Sequence, residues 1–136
     1  MINYFYEDVE EIISEDYKPW LEDLIKYEEK KVGNINYIFC NDEYLLKVNQ
    51  DFLQHDYYTD IITFDSVKGK TINGEIFVSL QRVKDNASLL SKPYEEELRR
   101  VLAHGVLHLC GYKDKAPGDE KLMRQKEDFY INRFVK

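Results

Sequence analysis

The run from Val101 to Leu109, VLAHGVLHL, constrains this chain more than any other stretch. At helical spacing Val101, Leu102, Ala103, Val106, Leu107 and Leu109 leave almost no polar face, so the helix must run through the protein centre. Other elements have to cover it on several sides. Its limits are marked: Pro93 with Glu95, Glu96 and Glu97 sets a start where carboxylates complement the helix dipole, and Gly111 is a natural C-cap. The chain has three histidines in 136 residues, and two of them, His104 and His108, lie in this run. A spacing of four puts both rings on one helix face, with Cβ atoms roughly 5–6 Å apart.

The covering elements can be placed from periodicity. INYFY (Ile2 to Tyr6) reads as a first strand, and NINYIFC alternates apolar residues at Ile35, Tyr37 and Phe39. TDIITFD and GEIFVS, separated by the turn material KGKTING, are predicted to form an antiparallel pair. YKPWLEDLIKYEEKK carries Trp20, Leu21, Leu24, Ile25 and Glu28 at helical spacing, with Pro19 near its start and Gly33 just beyond its end. Asn41 caps a short helix through Leu45, Leu46 and Val48 into Asn49; Ser79 caps another through about Leu90; a last one runs from about Glu120 to Phe134. The expected class is α/β (α+β): about four strands in one mixed sheet covered by helices, with a central buried helix carrying the histidines. No repeat or linker divides the chain, so one domain is expected over residues 1–136.

Composition narrows the setting. Apolar residues at 43% and charged residues at 33% are those of a soluble globular protein. The acidic N-terminus lacks the pattern of a secretory signal, and no apolar run approaches the length of a membrane span, so no membrane partner is expected. Cys40 and Cys110 are too few for a disulfide framework, and the reducing cytoplasm is the expected compartment. A net charge of −7 argues against a uniformly basic nucleic-acid coat but leaves a local groove open.

The histidine pair points to a metal. Gly111, three residues after His108, ends the helix and lets the chain fold back, and the residue at that return is Asp114. The spacing H-x3-H-x2-G-x2-D matches extended zinc-protease motifs, in which helix, glycine turn and third ligand come in that order. Two imidazoles and a carboxylate leave a position for water on a divalent ion, the arrangement of a hydrolytic site. Plainer readings are a satisfied core histidine and, for Asp114 between Lys113 and Lys115, a solvated loop acid. Gly105 stands where H-E-x-x-H peptidases carry their general base, which disfavours a protease. Close packing against another element explains Gly105 more simply.

The run HGVLHLCGY (His104 to Tyr112) resembles the signature of the YbeY family, bacterial metal-dependent endoribonucleases of rRNA maturation. VNQDFLQHDYYTDIITF resembles the family's strand through Asn49, Thr59, Asp60 and Phe64. GEIFVS, EEELRRVLAHG and the later Met123 and Glu127 fit its remaining elements. The resemblance covers roughly Ile35 to Phe134. It implies a four-stranded mixed sheet, a metal on the signature helix held by His104, His108 and Asp114, and action on single-stranded RNA. The small-subunit rRNA precursor is the expected substrate and the small ribosomal subunit an expected partner. Zinc is the expected ion. Two positions depart from the family pattern: Asp114 stands where the third ligand is ordinarily a histidine, and Leu53 where the family usually has an arginine near the phosphate backbone.

The catalytic residues beyond the metal ligands are not identified by the sequence. Arg100 and Glu97, one and two turns before His104, read as support for an imidazole, as phosphate contacts or as plain helix-start charges. Arg82, Lys84, Lys68 and Lys70 are candidates for a phosphate groove or a solvated face. Tyr57 and Tyr58 can stack on bases, with core packing the favoured reading among eleven tyrosines. The alternative function is a non-catalytic ribosome-assembly factor whose structural metal is closed by a fourth ligand, Cys110 or His55.

Overall fold

The helix start at Pro93 and the cap at Gly111 bound a helix that the rest of the chain wraps. The computed structural model describes residues 1–134. In chain order the elements are β1 (Ile2–Tyr6), α1 (Tyr17–Tyr27), β2 (Lys31–Cys40), α2 (Asp42–Leu53), β3 (Ile61–Asp65), β4 (Thr71–Ser79), α3 (Leu80–Leu89), α4 (Tyr94–Leu109) and α5 (Pro117–Asn132). The sheet order is β1-β2-β4-β3. β1 and β4 both run parallel to β2, and β3 closes the edge antiparallel to β4, so the sheet is mixed as expected.

Alternation along each strand sorts the residues onto two faces. Ile35, Tyr37 and Phe39 of β2 and Ile72, Ile76 and Val78 of β4 enter the main core with α1 and α4. Cys40 and Ile62, with the half-buried Phe64 and Phe77, form a smaller cluster on the other face against Leu45 and Val48 of α2. In α4, Leu102, Ala103, Val106 and Leu107 are fully buried, as a helix without a polar face requires. The Tyr37 hydroxyl, buried beside α4, donates to the Leu102 carbonyl at 2.7 Å.

Three features differ from the sequence reading. α1 stops at Tyr27, not near Gly33, because Glu29 adopts the left-handed conformation (φ 62°) and the Lys30 N–H reaches back to the Ile25 carbonyl at 3.1 Å. Gly33 therefore lies inside β2. α2 continues one turn past Asn49 to Leu53, where Gln54 takes the left-handed conformation (φ 56°). Tyr57 and Tyr58 lie outside the core: both are exposed in the loop between α2 and β3.

Candidate active site

α4 delivers His104 to the protein surface at the point where α5 and the α4–α5 loop meet it. Gly105, the next residue, is the reason the helix sits so close to the sheet. A Cβ there would stand 2.9 Å from Ile76 Cγ2 and 3.1 Å from Ile61 Cδ1, so only a hydrogen fits. At the other end Gly111 adopts φ 111°. Its N–H donates to the His108 carbonyl at 3.0 Å and the Tyr112 N–H to the Leu107 carbonyl at 3.1 Å, the pair of bonds of a Schellman turn. That turn reverses the chain and carries Asp114 back over His104.

The result is a His–carboxylate cluster. His104 Nε2 is 3.0 Å from Asp114 Oδ2, and His104 Nδ1 donates to Glu127 Oε2 on α5 at 2.7 Å. Glu127 is itself buried, and its other oxygen accepts from Arg100 Nη1 at 3.0 Å. Arg100 completes the chain of contacts by donating from Nη2 to Asp128 at 2.7 Å. Burial alone would favour a neutral imidazole, but the hydrogen bond and charge of Glu127, with Asp114 and Asp60 nearby, outweigh it and hold His104 above the ordinary histidine range. Arg100 thus supports the imidazole through Glu127, one of the readings open from its position one turn earlier.

A cleft of about 600 Å³ opens here, lined by His104, Asp114, Lys121, Arg124 and Glu127. Beside it a recess of about 290 Å³ shares His104, Asp114, Arg124 and Glu127 and adds Thr59, Asp60 and Glu97. Burial pushes both Asp60 and Glu97 above the ordinary carboxylate range, and the charge of Asp60 adds to the rise at Glu97. Glu97 is buried, and among the described residues its Oε1 has no hydrogen-bond partner. It faces the recess and does not simply solvate the helix start.

Of the three residues singled out as ligands, the fold brings His104 and Asp114 together. His108 lies one turn further along α4, half-buried, and is not among the residues lining the cleft or the recess. Among the described residues no group of three or more His, Cys, Asp and Glu side chains stands arranged to hold a metal ion. The donor chemistry of the pair nevertheless fits one. Ligating histidines commonly give one ring nitrogen to a carboxylate and present the other to the ion, as Glu127 arranges for His104. Ligand atoms sharing a tetrahedral zinc-sized ion lie about 3.3 Å apart, close to the 3.0 Å of the His104–Asp114 pair.

The cationic residues differ from those the sequence suggested. Arg82 pairs with Asp42 at 2.8 Å and Lys84 with Glu11 at 3.1 Å, so both are engaged elsewhere. Lys121 and Arg124 of α5 line the cleft instead and, among the described residues, form no ion pair. Neither Cys110 nor His55 lines the cleft or the recess. Burial and the charge of Glu28 push the Cys110 thiol up to about 12.

Comparison with known proteins agrees with this architecture. The model of the family described as Endoribonuclease YbeY matches residues 3–135. The chain belongs to the YbeY family. It is 54% identical over 135 residues to the Endoribonuclease YbeY of Flavobacterium johnsoniae, covering 98% of this chain and 97% of that one. The Endoribonuclease YbeY of Cytophaga hutchinsonii is 53% identical over 131 residues, covering 93% and 91%. The solution structure of a Thermotoga maritima protein superposes with a TM-score of 0.75 at 31% identity, covering 98% of this chain and 89% of that one.

Proposed function

We propose that this YbeY protein is a metal-dependent endoribonuclease that cuts single-stranded RNA, with the small-subunit rRNA precursor as its substrate and the small ribosomal subunit as its partner. The observation that carries the reading is the His104 imidazole set between Asp114 and Glu127 at the mouth of a cleft, in a chain whose relatives bear the name endoribonuclease. His104, His108 and Asp114 would hold one divalent ion, zinc by donor type. When bound, the ion supplies Lewis-acid polarisation of a phosphodiester oxygen and a more acidic water.

The chain's own residues supply the rest. Glu127 fixes the His104 ring and its Nδ1 proton, and Arg100 holds Glu127 in place by donating to its other oxygen. Lys121 and Arg124 bind phosphate oxygens across the cleft, replacing the cation that Leu53 does not provide. Glu97 and Asp60 give the recess two carboxyl groups that burial makes harder to ionise than exposed ones, candidates to accept or hold a proton. The chain is expected to work in the cytoplasm as one domain; among the described residues no helix is long and apolar enough to cross a membrane.

The test is direct. Bound metal and cleavage of a single-stranded RNA are measured for the wild type, His108→Ala and Asp114→Ala, with a chelator control. Loss of the ion and of cleavage together is the expected result. Cleavage that survives removal of the ion ends the metallonuclease reading, and bound metal without cleavage returns the non-catalytic assembly factor.

A further inference from the structure

The loop that leads into the recess carries aromatic rings with open faces. Phe52, in the last turn of α2, is 69% exposed, and Tyr57 and Tyr58 in the loop beyond it are 56% and 48% exposed. The next two residues, Thr59 and Asp60, line the recess with His104 and Asp114. The aromatic surface is therefore continuous along the chain with the candidate cleavage site.

These rings are held in place. Tyr57 stacks on His55 with centroids 5.2 Å apart and planes at 21°, and its hydroxyl meets His55 Nδ1 at 3.0 Å. The buried Asn49 pins the loop from below, donating from Nδ2 to the Tyr57 carbonyl at 3.0 Å and accepting the His55 N–H on its own carbonyl at 3.1 Å. The Tyr58 hydroxyl donates to Glu43 at 3.0 Å, and the Arg82 guanidinium lies 5.3 Å from its ring. Phe52 packs edge-on against Phe64 at 6.0 Å. Rigid, amphipathic rings lose little conformational freedom when a ligand lands on them.

Charge selects the ligand. The chain carries −7 overall, the cleft and recess set Asp60, Glu97, Asp114 and Glu127 against Lys121 and Arg124 alone, and Arg100 is spent on Glu127 and Asp128. Attraction to a phosphate backbone is correspondingly modest, so a bound strand needs an uncharged anchor. Stacking on a base face provides one and requires the base to be unpaired.

We propose that Phe52, the Tyr57–His55 stack and Tyr58 form a ledge on which unpaired bases of an RNA strand stack, beside the phosphodiester presented to His104 and Asp114. The inference rests on the RNA-cleaving reading of the cleft. It assigns the preference for single strands to these rings.

The experiment is fluorescence anisotropy with a labelled single-stranded RNA, the same strand with bases removed, and its duplex. The proteins are the wild type, Phe52→Ala, Tyr57→Ala, Tyr58→Ala and the conservative Tyr57→Phe. Each alanine variant is expected to weaken single-strand binding roughly 5- to 150-fold, with salt dependence and melting temperature unchanged. Tyr57→Phe should bind as the wild type, and base-free RNA should bind the wild type as weakly as the variants bind normal RNA. A wild type that cuts RNA while the alanine variants bind it undiminished overturns the ledge alone. A wild type that neither binds nor cuts RNA overturns the functional reading and the ledge with it. A concentration-dependent dimer in sedimentation that the alanine changes abolish assigns the rings to a second copy and also overturns the ledge.

Discussion

Gly105 and Glu127 show how single residues set the geometry of the site from opposite sides. The van der Waals contact that Gly105 makes with Ile76 and Ile61 seats α4 on β3 and β4, and a methyl group there is too large by a few tenths of an ångström. Gly105→Ala should therefore lower stability by about 1–2 kcal/mol, overpacking outweighing the gain in helix propensity. Thermal unfolding measures it, and an unchanged or raised melting temperature contradicts the packing account. Glu127 acts on the chemistry: Glu127→Gln keeps the size but removes the charge that His104 and Arg100 both use. A roughly 10- to 100-fold loss of metal affinity is expected, with the fold retained by circular dichroism. This residue is visible in the sequence only through the family resemblance. It lies 23 positions from His104, on a different helix, and no local spacing connects them.

At the scale of elements, what the sequence discloses depends on whether a boundary has a local chemical marker. α3 begins at the cap expected of Ser79, whose Oγ accepts the Arg82 N–H at 3.1 Å, and Asn41 likewise accepts the Tyr44 N–H at 2.9 Å. α1 ends instead through Glu29, a non-glycine in the left-handed region, held there by the bond from the Lys30 N–H back to Ile25; the glycine at position 33 belongs to the next strand and marks no helix end. The pairing of β3 with β4 is legible because both are rich in β-branched residues on either side of a turn. That Asp60, just before β3, reaches the recess beside α4 is not, because it depends on how the helix crosses the sheet edge. The Gly111 turn is the element on which the site most depends. Gly111→Ala meets no atom within 4 Å but must adopt φ 111°, which costs about 1–3 kcal/mol for a residue with a Cβ. If the chain relieves that strain by shifting the turn, Asp114 leaves His104; cleavage should then fall more steeply than the melting temperature, measured on the same preparation. Equal, small losses in both would show that the return loop is positioned by other contacts.

Across the whole molecule, one half-buried carboxylate, just past the end of α1, ties that helix to the loop that carries Asp114. Glu28 accepts from the Tyr112 hydroxyl at 2.6 Å, from Lys126 Nζ at 3.2 Å and, through a short bond, from the Tyr130 hydroxyl. Tyr112 stands two residues before Asp114, so the first helix, the return loop and the last helix share one acceptor. Burial disfavours the Glu28 anion, but the two hydroxyl donors and Lys126 outweigh it and hold the group below its usual value of 4.5. A carboxylate with a depressed native value stabilises the fold above its unfolded value and loses that contribution as pH falls through the native one. Melting temperature should consequently drop on acidification below about 4.5, and Glu28→Gln should lower it at neutral pH while flattening that acid limb. Because the same contacts anchor Tyr112, Glu28→Gln should also reduce cleavage at neutral pH, although Glu28 does not line the cleft or the recess. An acid limb identical in the variant would place the pH sensitivity at another carboxylate. Unaltered cleavage would show that Asp114 holds its place without this tie.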